Sequence, residues 1–346
     1  MSGIVKNKEN ECVISVLMPV YNTPEDFLRK SIESILSQTY EKFEFIIIND
    51  ASNDITTRIL RGYRDNRIRL IDNEYNMGLS RCLNKGISLA KGEYIARMDS
   101  DDISHKKRLE WQYDFMKKNP NMFMCGGNIN VIDTWGKWKG TNRYCYNTES
   151  IRMDTLFTCP FAHPTVMFNT RLLMQEKKRY CEEIKAEDYE LWSHLVYKYE
   201  VANIKKVLLF YREHDASITG KNHKILYESA ATVQKKIFNS WGIEFPKTND
   251  IILNGVENEI ALQGVENAII ELIDKCPKLF VDRKTLRRRM DVVYRKTEIK
   301  MGVNLDKQQR FWNVFGDIYG VGRVSKSIDY WKYKLKDVAW KIVYRE

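Results

Sequence analysis

The sequence predicts an α/β protein with a doubly wound, mostly parallel sheet, followed by a C-terminal α-helical extension. Over residues 13–102, apolar β-rich runs alternate with helical segments, a pattern typical of right-handed βαβ crossovers. After residue 219 the strand signals stop and helical patterns follow. We therefore expect two regions, residues 1–219 and residues 220–346, with residues 246–254 as a second candidate boundary.

Four strand-then-helix units are predicted at the start of the chain. Residues 13–20 form an apolar run typical of a central parallel strand. Thr23 and Pro24 supply an N-cap and a proline at the first helical position, so a helix should continue to about Ser37. The other predicted elements are strands at 43–49, 68–71 and 94–98, helices from 52–54 and over 79–90, and a helix capped by 103–105.

Further strands are predicted at residues 122–132 and 202–210. Between them, residues 135–140 contain two tryptophans, in either a mobile loop that covers substrate or an ordinary surface hairpin. The C-terminal region should be helical at 225–241, 257–274, 284–296 and 331–345.

Polar residues follow the predicted strands where each strand ends. They are Asn22, Asp50 and Asn76, and then Asp99, Asp101 and Asp102 within four positions. Because the carboxyl ends of neighbouring parallel strands meet at one edge, these side chains can line a single cleft. Acids this close repel one another, which favours a bound Mg²⁺ or Mn²⁺; a solvated acidic turn is the alternative.

Several classes of protein are disfavoured. There is no G-x-G-x-x-G after the first strand and no G-x-x-x-x-G-K-[ST] motif. The seven cysteines contain no C-x-x-C pair, so we expect reduced thiols. No apolar signal-peptide core or membrane-spanning run is apparent, which predicts a cytoplasmic protein. The net charge of +10 is concentrated in residues 278–346.

Several motifs in order resemble the family 2 glycosyltransferases of the GT-A fold, a Rossmann-like fold. They are Pro19-Val20-Tyr21-Asn22, Asp50-Ala51-Ser52, Asn76-x-Gly78, Asn84-x-Gly86 and Gly92-Glu-Tyr-Ile-Ala-x-Met-Asp99-Ser100-Asp101-Asp102. The resemblance covers about residues 12–218 and implies an inverting enzyme that uses a nucleotide-sugar donor, here a UDP-sugar.

The resemblance also implies roles for individual residues. Asp50 would bind the uracil base, Asp99 the ribose, and Asp101 a Mn²⁺ or Mg²⁺ ion on the diphosphate, with Asp102 supporting either role. His214 would approach that metal ion. The complete expected nucleotide-sugar site is Pro19, Tyr21, Asn22, Asp50, Asn76, Asn84, Asp99, Ser100, Asp102 and Arg212.

The acceptor half of the same family is matched by two segments, residues 161–168 and residues 186–192. By this resemblance, Asp188 is the expected general base and Glu187 its neighbour in acceptor binding. Two acids at a helix start are also good partners for the helix dipole, which is the structural alternative.

The expected acceptor is a glycan linked to undecaprenyl diphosphate, as in O-antigen or capsule biosynthesis at the inner face of the cell membrane. The predicted helix at 331–345 carries lysines beside an apolar face, which suits an anionic membrane, although it could equally pack on its own domain. Two alternatives remain: a nucleotidyltransferase of the same fold, and a nucleic-acid-binding protein that uses the basic tail. The second leaves the acids unexplained, so no nucleic-acid partner is expected.

Overall fold

A computed structural model of the protein describes residues 12–214, 223–244, 258–276, 279–280, 282–302 and 305. The strands are β1 Ile14–Val20, β2 Phe43–Asn49, β3 Ile68–Asp72, β4 Tyr94–Arg97, β5 Ile103–Ser104, β6 Met122–Ile132, β7 Trp138–Asn142, β8 Met167–Asn169 and β9 Glu200–Arg212. The helices are α1 Glu25–Leu36, α2 Asp54–Gly62, α3 Leu79–Leu89, α4 Arg108–Lys118, α5 Thr148–Thr155, α6 Thr170–Glu176, α7 Glu187–Leu195, α8 His223–Ser240, α9 Glu259–Lys275 and α10 Arg283–Met301.

All nine strands join one sheet in the order β3-β2-β1-β4-β8-β6-β9-β5, with β7 added to β6. The half made of β3, β2, β1 and β4 is parallel, as the alternating pattern predicts. In the other half, β8 is antiparallel to both of its neighbours, while β6 and β9 are parallel to each other. The carboxyl ends of β2, β1 and β4 therefore lie side by side.

Most predicted elements are confirmed, with two local differences. Thr23 does not cap α1, because Pro24 occupies the N-cap position and the Thr23 hydroxyl contacts Ser100 instead. Residues 103–105 do not cap a helix: Ile103–Ser104 is the strand β5, which pairs with β9, and the helix starts at Arg108. Of the two alternatives for the tryptophans, the structure has the hairpin: Trp135 lies in the turn between β6 and β7, and Trp138 begins β7.

Helices α8, α9 and α10 pack against α5 and α7 of the N-terminal region. Their apolar residues share one core cluster with Met153, Leu156, Phe157 and Tyr189. The expected boundary at residue 219 and the expected helix at 331–345 lie outside the described residues.

Two further expectations concern cysteines and membrane spans. All seven cysteines are free thiols. Within the described ranges, no helix combines the length and the apolar character needed to cross a bilayer.

Candidate functional site

Three aspartates crowd the loop that follows β4. Carboxylate oxygens of Asp99, Asp101 and Asp102 all lie within 4.8 Å of one another. Asp102 is 1% exposed; its Oδ1 accepts from the backbone N–H of Arg212 at 2.8 Å. Its Oδ2 is buried without a hydrogen-bond partner among the described residues. Burial, reinforced by the charges of Asp101 and Asp99, raises the pKa of Asp102 well above its usual range.

This acid loop fits a divalent cation. The unpartnered Oδ2 of Asp102 and the mutual repulsion of three carboxylates would both be relieved by a hard cation, which prefers oxygen ligands. The two predicted metal-site residues come together, since His214 Nε2 lies 3.0 Å from Asp101 Oδ2. Asp99, Asp101 and Asp102 are thus the residues able to hold Mn²⁺ or Mg²⁺.

Arg212 lies behind the acid loop. Its guanidinium is 1% exposed and donates to the backbone carbonyls of Asp101, Asp133 and Thr134 at 2.9, 3.2 and 3.1 Å. It also covers the ring of Phe27, with 4.4 Å to the ring centroid. The residue expected to bind the donor therefore supports the loop from within and joins it to the β6–β7 hairpin.

Arg97, at the end of β4, was not predicted as a site residue. It is 3% exposed, it donates to the Asp99 carboxylate, and its Nε has no hydrogen-bond partner within the described part of the chain. Its charge also lowers the pKa of both Glu187 and Asp188, although burial outweighs it. One buried guanidinium therefore connects the acid loop with the acids of α7. The available signal was an arginine two positions before Asp99, on the same face of the strand.

Glu187 and Asp188 form the first turn of α7, beside His163. His163 Nδ1 lies 3.8 Å from Glu187 Oε1 and 4.0 Å from Asp188 Oδ2. Burial, and next the charge of Asp188, raises the pKa of Glu187 to about 8, and burial raises that of Asp188. The pKa of His163 lies well below its ordinary value because of burial and the nearby Arg97, so its ring is neutral. The pair of acids therefore retains a proton near neutral pH.

The environment of His163 is completed by Tyr180 and Cys159. Tyr180 Oη lies 2.9 Å from His163 Nε2, and the Cys159 thiol donates to Asp188 Oδ2 at 3.5 Å. The side-chain amide of Asn84, a residue expected to bind the donor, exchanges two hydrogen bonds of 2.9 Å with the backbone of Tyr180. Asn84 therefore fixes the segment that carries Tyr180 beside His163.

Asp50 lies at the end of β2 and is 3% exposed. Its carboxylate accepts three hydrogen bonds of 2.8 Å, from Asn73 Nδ2 and from the backbone N–H groups of Met77 and Gly78. Burial favours the neutral acid, but these donors outweigh it and hold the pKa of Asp50 below its usual value. Gly78 has φ +86°, a conformation that favours glycine. Asp50 is therefore an ionised acid that organises the turn before α3.

A chain of contacts joins the ends of β2, β1 and β4. Asn22, with φ +50°, accepts from the backbone N–H of Asn53 at 2.8 Å through its Oδ1. Next to it, the hydroxyls of Thr23 and Ser100 are 2.6 Å apart, which brings the end of β1 to the acid loop. Of the other expected donor residues, Tyr21 is 54% exposed, Pro19 lies within β1, and exposed Asn76 donates to the Asp50 carbonyl at 3.4 Å.

Comparisons with known proteins match the part of the chain that contains most of these residues. The family model "Glycosyl transferase family 2" matches residues 15–177. The chain is 35% identical over 225 residues to the O-antigen biosynthesis glycosyltransferase WbnJ of Escherichia coli, a match that covers 63% of this chain and 86% of WbnJ. It is 31% identical over 221 residues to the E. coli UDP-Glc:alpha-D-GlcNAc-diphosphoundecaprenol beta-1,3-glucosyltransferase WfgD, covering 63% of this chain and 83% of WfgD.

A similar fold occurs in a solved structure. Residues 1–349 of S. aureus TarS, in complex with UDP-GlcNAc, superpose with a TM-score of 0.56 and 18% identity, covering 84% of each chain. At this identity the likeness concerns the fold, which is that of the GT-A enzymes.

Proposed function

Because the chain belongs to glycosyltransferase family 2, we propose that it transfers a sugar from a UDP-sugar to a hydroxyl of a lipid-linked glycan, with inversion at the anomeric carbon. The observation that carries this proposal is the position of Arg97. Its guanidinium donates to Asp99 of the acid loop, and its charge acts on Glu187 and Asp188. Acids 88 and 89 positions apart along the chain therefore share one buried charge.

The donor would lie along the ends of β2, β1 and β4. Asp50, ionised and fixed in place, suits the imide N–H of uracil, and exposed Tyr21 lies nearby at the end of β1. Asp99 would contact the ribose. Held by Asp101 and Asp102 beside His214, Mn²⁺ or Mg²⁺ would supply positive charge for the diphosphate leaving group.

Asp188 is the proposed general base. The acceptor hydroxyl oxygen forms a bond to the anomeric carbon, the bond from that carbon to the diphosphate oxygen breaks, and the hydroxyl proton passes to Asp188. Glu187, whose pKa is about 8, stays protonated near neutral pH and can donate to an acceptor oxygen. The raised pKa of Asp188 makes it a better proton acceptor than an ordinary aspartate.

The acceptor proposal rests on similarity. WfgD is named for an acceptor linked to diphosphoundecaprenol, and WbnJ for O-antigen biosynthesis. We extend both to this chain and propose a role in surface-polysaccharide assembly, with the protein peripheral on the inner face of the cell membrane.

The test is release of UDP from a panel of UDP-sugars with Mn²⁺, with and without chelator. Asp188→Asn should lower turnover by about 10²- to 10⁴-fold, because general-base catalysis contributes that much. Its UDP affinity should remain unchanged. The matched control is Glu183→Gln, which neutralises an exposed acid near the same helix. Unchanged turnover in Asp188→Asn would contradict the proposal, and release of pyrophosphate would indicate a nucleotidyltransferase instead.

A further inference from the structure

The β6–β7 hairpin, residues 133–143, exposes two tryptophans. Trp135 is 89% exposed, the highest value among the large hydrophobic residues that the structure describes, and Trp138 is 62% exposed. Removing such surface from water is favourable, so a pair of exposed indoles on one tip indicates a contact surface.

The same hairpin carries exposed cations. Lys139 pairs with Glu213, but Lys137 and Arg143 have no carboxylate within 4 Å in the described ranges. The carboxylate of Asp133 turns towards the backbone, where it accepts from the N–H groups of Trp135 and Lys137 at 2.9 and 2.8 Å. The outer surface of the hairpin is thus aromatic and positively charged.

The hairpin is held at a set position beside the acid loop. Arg212 donates to the carbonyls of Asp133 and Thr134 at its tip and to that of Asp101 in the loop. Further along, Thr141 Oγ1 donates to Asn130 Oδ1 at 2.7 Å, which braces β7 against β6. Whatever the tryptophans contact is therefore held next to the acid loop.

We propose that the hairpin is a membrane-contact element, whose tryptophans enter the headgroup layer of an anionic bilayer. Tryptophan prefers the membrane–water interface, where its ring is apolar and its N–H remains wet. Lys137 and Arg143, lacking acidic partners in the described structure, match anionic headgroups, and this charge complementarity favours a bilayer over a neutral glycan. The value of this contact rests on the proposed function, because it would bring the acid loop to a lipid-linked acceptor.

The test is co-sedimentation of the full chain with vesicles that contain neither acceptor nor nucleotide. Vesicles of phosphatidylcholine mixed with phosphatidylglycerol are compared with vesicles of phosphatidylcholine alone. The double variant W135A/W138A should bind the anionic vesicles at least about tenfold more weakly, the equivalent of burying part of one large apolar side chain. Lys137→Glu should weaken binding by about fivefold or more. The control is Ile260→Ala, which removes an apolar side chain that is 86% exposed on α9.

Two further measurements separate membrane contact by the hairpin from a loss of folding and from a failure of the proposed donor site. Fluorescence quenching by brominated lipids should be strong in the wild type and reduced in the double variant, and the melting temperature should be unchanged. UDP binding, measured on the same samples, reports on the donor site independently of the vesicles. The proposal is overturned if the wild type does not bind anionic vesicles, or if the double variant binds them equally well. If the double variant binds vesicles normally but its activity is no longer saturated by a soluble glycan acceptor, the hairpin is an acceptor platform instead.

Discussion

Asp102→Asn should raise the free energy of unfolding in the absence of a divalent ion and should reduce the extra stability that the ion adds. The amide oxygen of Asn can still accept from the Arg212 backbone N–H, so the loop keeps its anchor. Without metal, the substitution removes a buried acid that is repelled by two neighbours, and the free energy of unfolding should rise. With metal, it removes a ligand oxygen, and the stabilisation by the metal should fall.

The magnitude follows from the separation of the acids. At 4.8 Å and an effective dielectric constant of about 20, each pair of charges repels by about 3 kcal/mol. Proton uptake by Asp102 and the nearby arginines already relieve much of this, so we expect a gain of about 1–2 kcal/mol. On the metal side, stabilisation at a hundred times Kd is about 2.7 kcal/mol, and tenfold weaker binding lowers it to about 1.4 kcal/mol.

The assay is thermal and chemical unfolding at several pH values, with and without Mn²⁺. Because the folded-state pKa of Asp102 is raised, wild-type stability should fall as pH rises from about 4 through that pKa, and the variant should lack this part of the decline. Asp114→Asn, on the exposed side of α4, is the matched control. The reasoning is refuted if Asp102→Asn destabilises the metal-free protein and if Mn²⁺ raises the stability of the variant by as much as it raises that of the wild type.

Two other predictions concern the remaining acids. Glu187→Gln should flatten the pH dependence of stability. Burial and Asp188 raise the pKa of Glu187 to about 8, so wild-type stability is lost as pH rises from about 4.5 through about 8. The free energies of unfolding in guanidinium at the two ends of that range should differ by about 2 kcal/mol more in the wild type than in the variant. Equal slopes would contradict this. Asp50→Asn turns an N–H group towards the Gly78 N–H, so it should lower stability by about 1–3 kcal/mol and should also weaken UDP binding. Thermal shift measures both effects, and Asp54→Asn is the control. Wild-type stability and UDP affinity in Asp50→Asn would show that Asp50 does not organise the turn.

The elements of the parallel half could be predicted because their signal is local. Apolar runs such as residues 43–49 are buried on both faces of a central strand, and this composition is visible without knowing the partners. Thr23 shows where local reasoning ends. Its sequence context is typical of a helix cap, but its hydroxyl finds Ser100, 77 positions further along the chain.

The sequence singles out the acids of the candidate site and Arg212, but not Arg97. Asp99, Asp101 and Asp102 stand out as three charges in one turn, whereas Arg97 resembles an interruption of an apolar strand until α7 is folded beside it. Arg212 was expected to bind the donor because it belongs to a motif. Its carbonyl partners come from residues 133–134, and no spacing along the sequence indicates that such backbone groups converge on it.

The packing of the C-terminal helices has a consequence for Asp188, the proposed base. Asp154 of α5 is 2% exposed and is paired with Arg289 of α10, with Arg289 Nη2 2.8 Å from its Oδ2. Tyr189, the residue after Asp188, is buried in the same core, and its hydroxyl donates to the Thr155 carbonyl at 2.5 Å. Through Tyr189, α7 therefore packs against the C-terminal helices. A chimera that exchanges these helices between relatives would have to exchange Asp154 and Arg289 together, and a protein that binds these helices would act on the position of the proposed base.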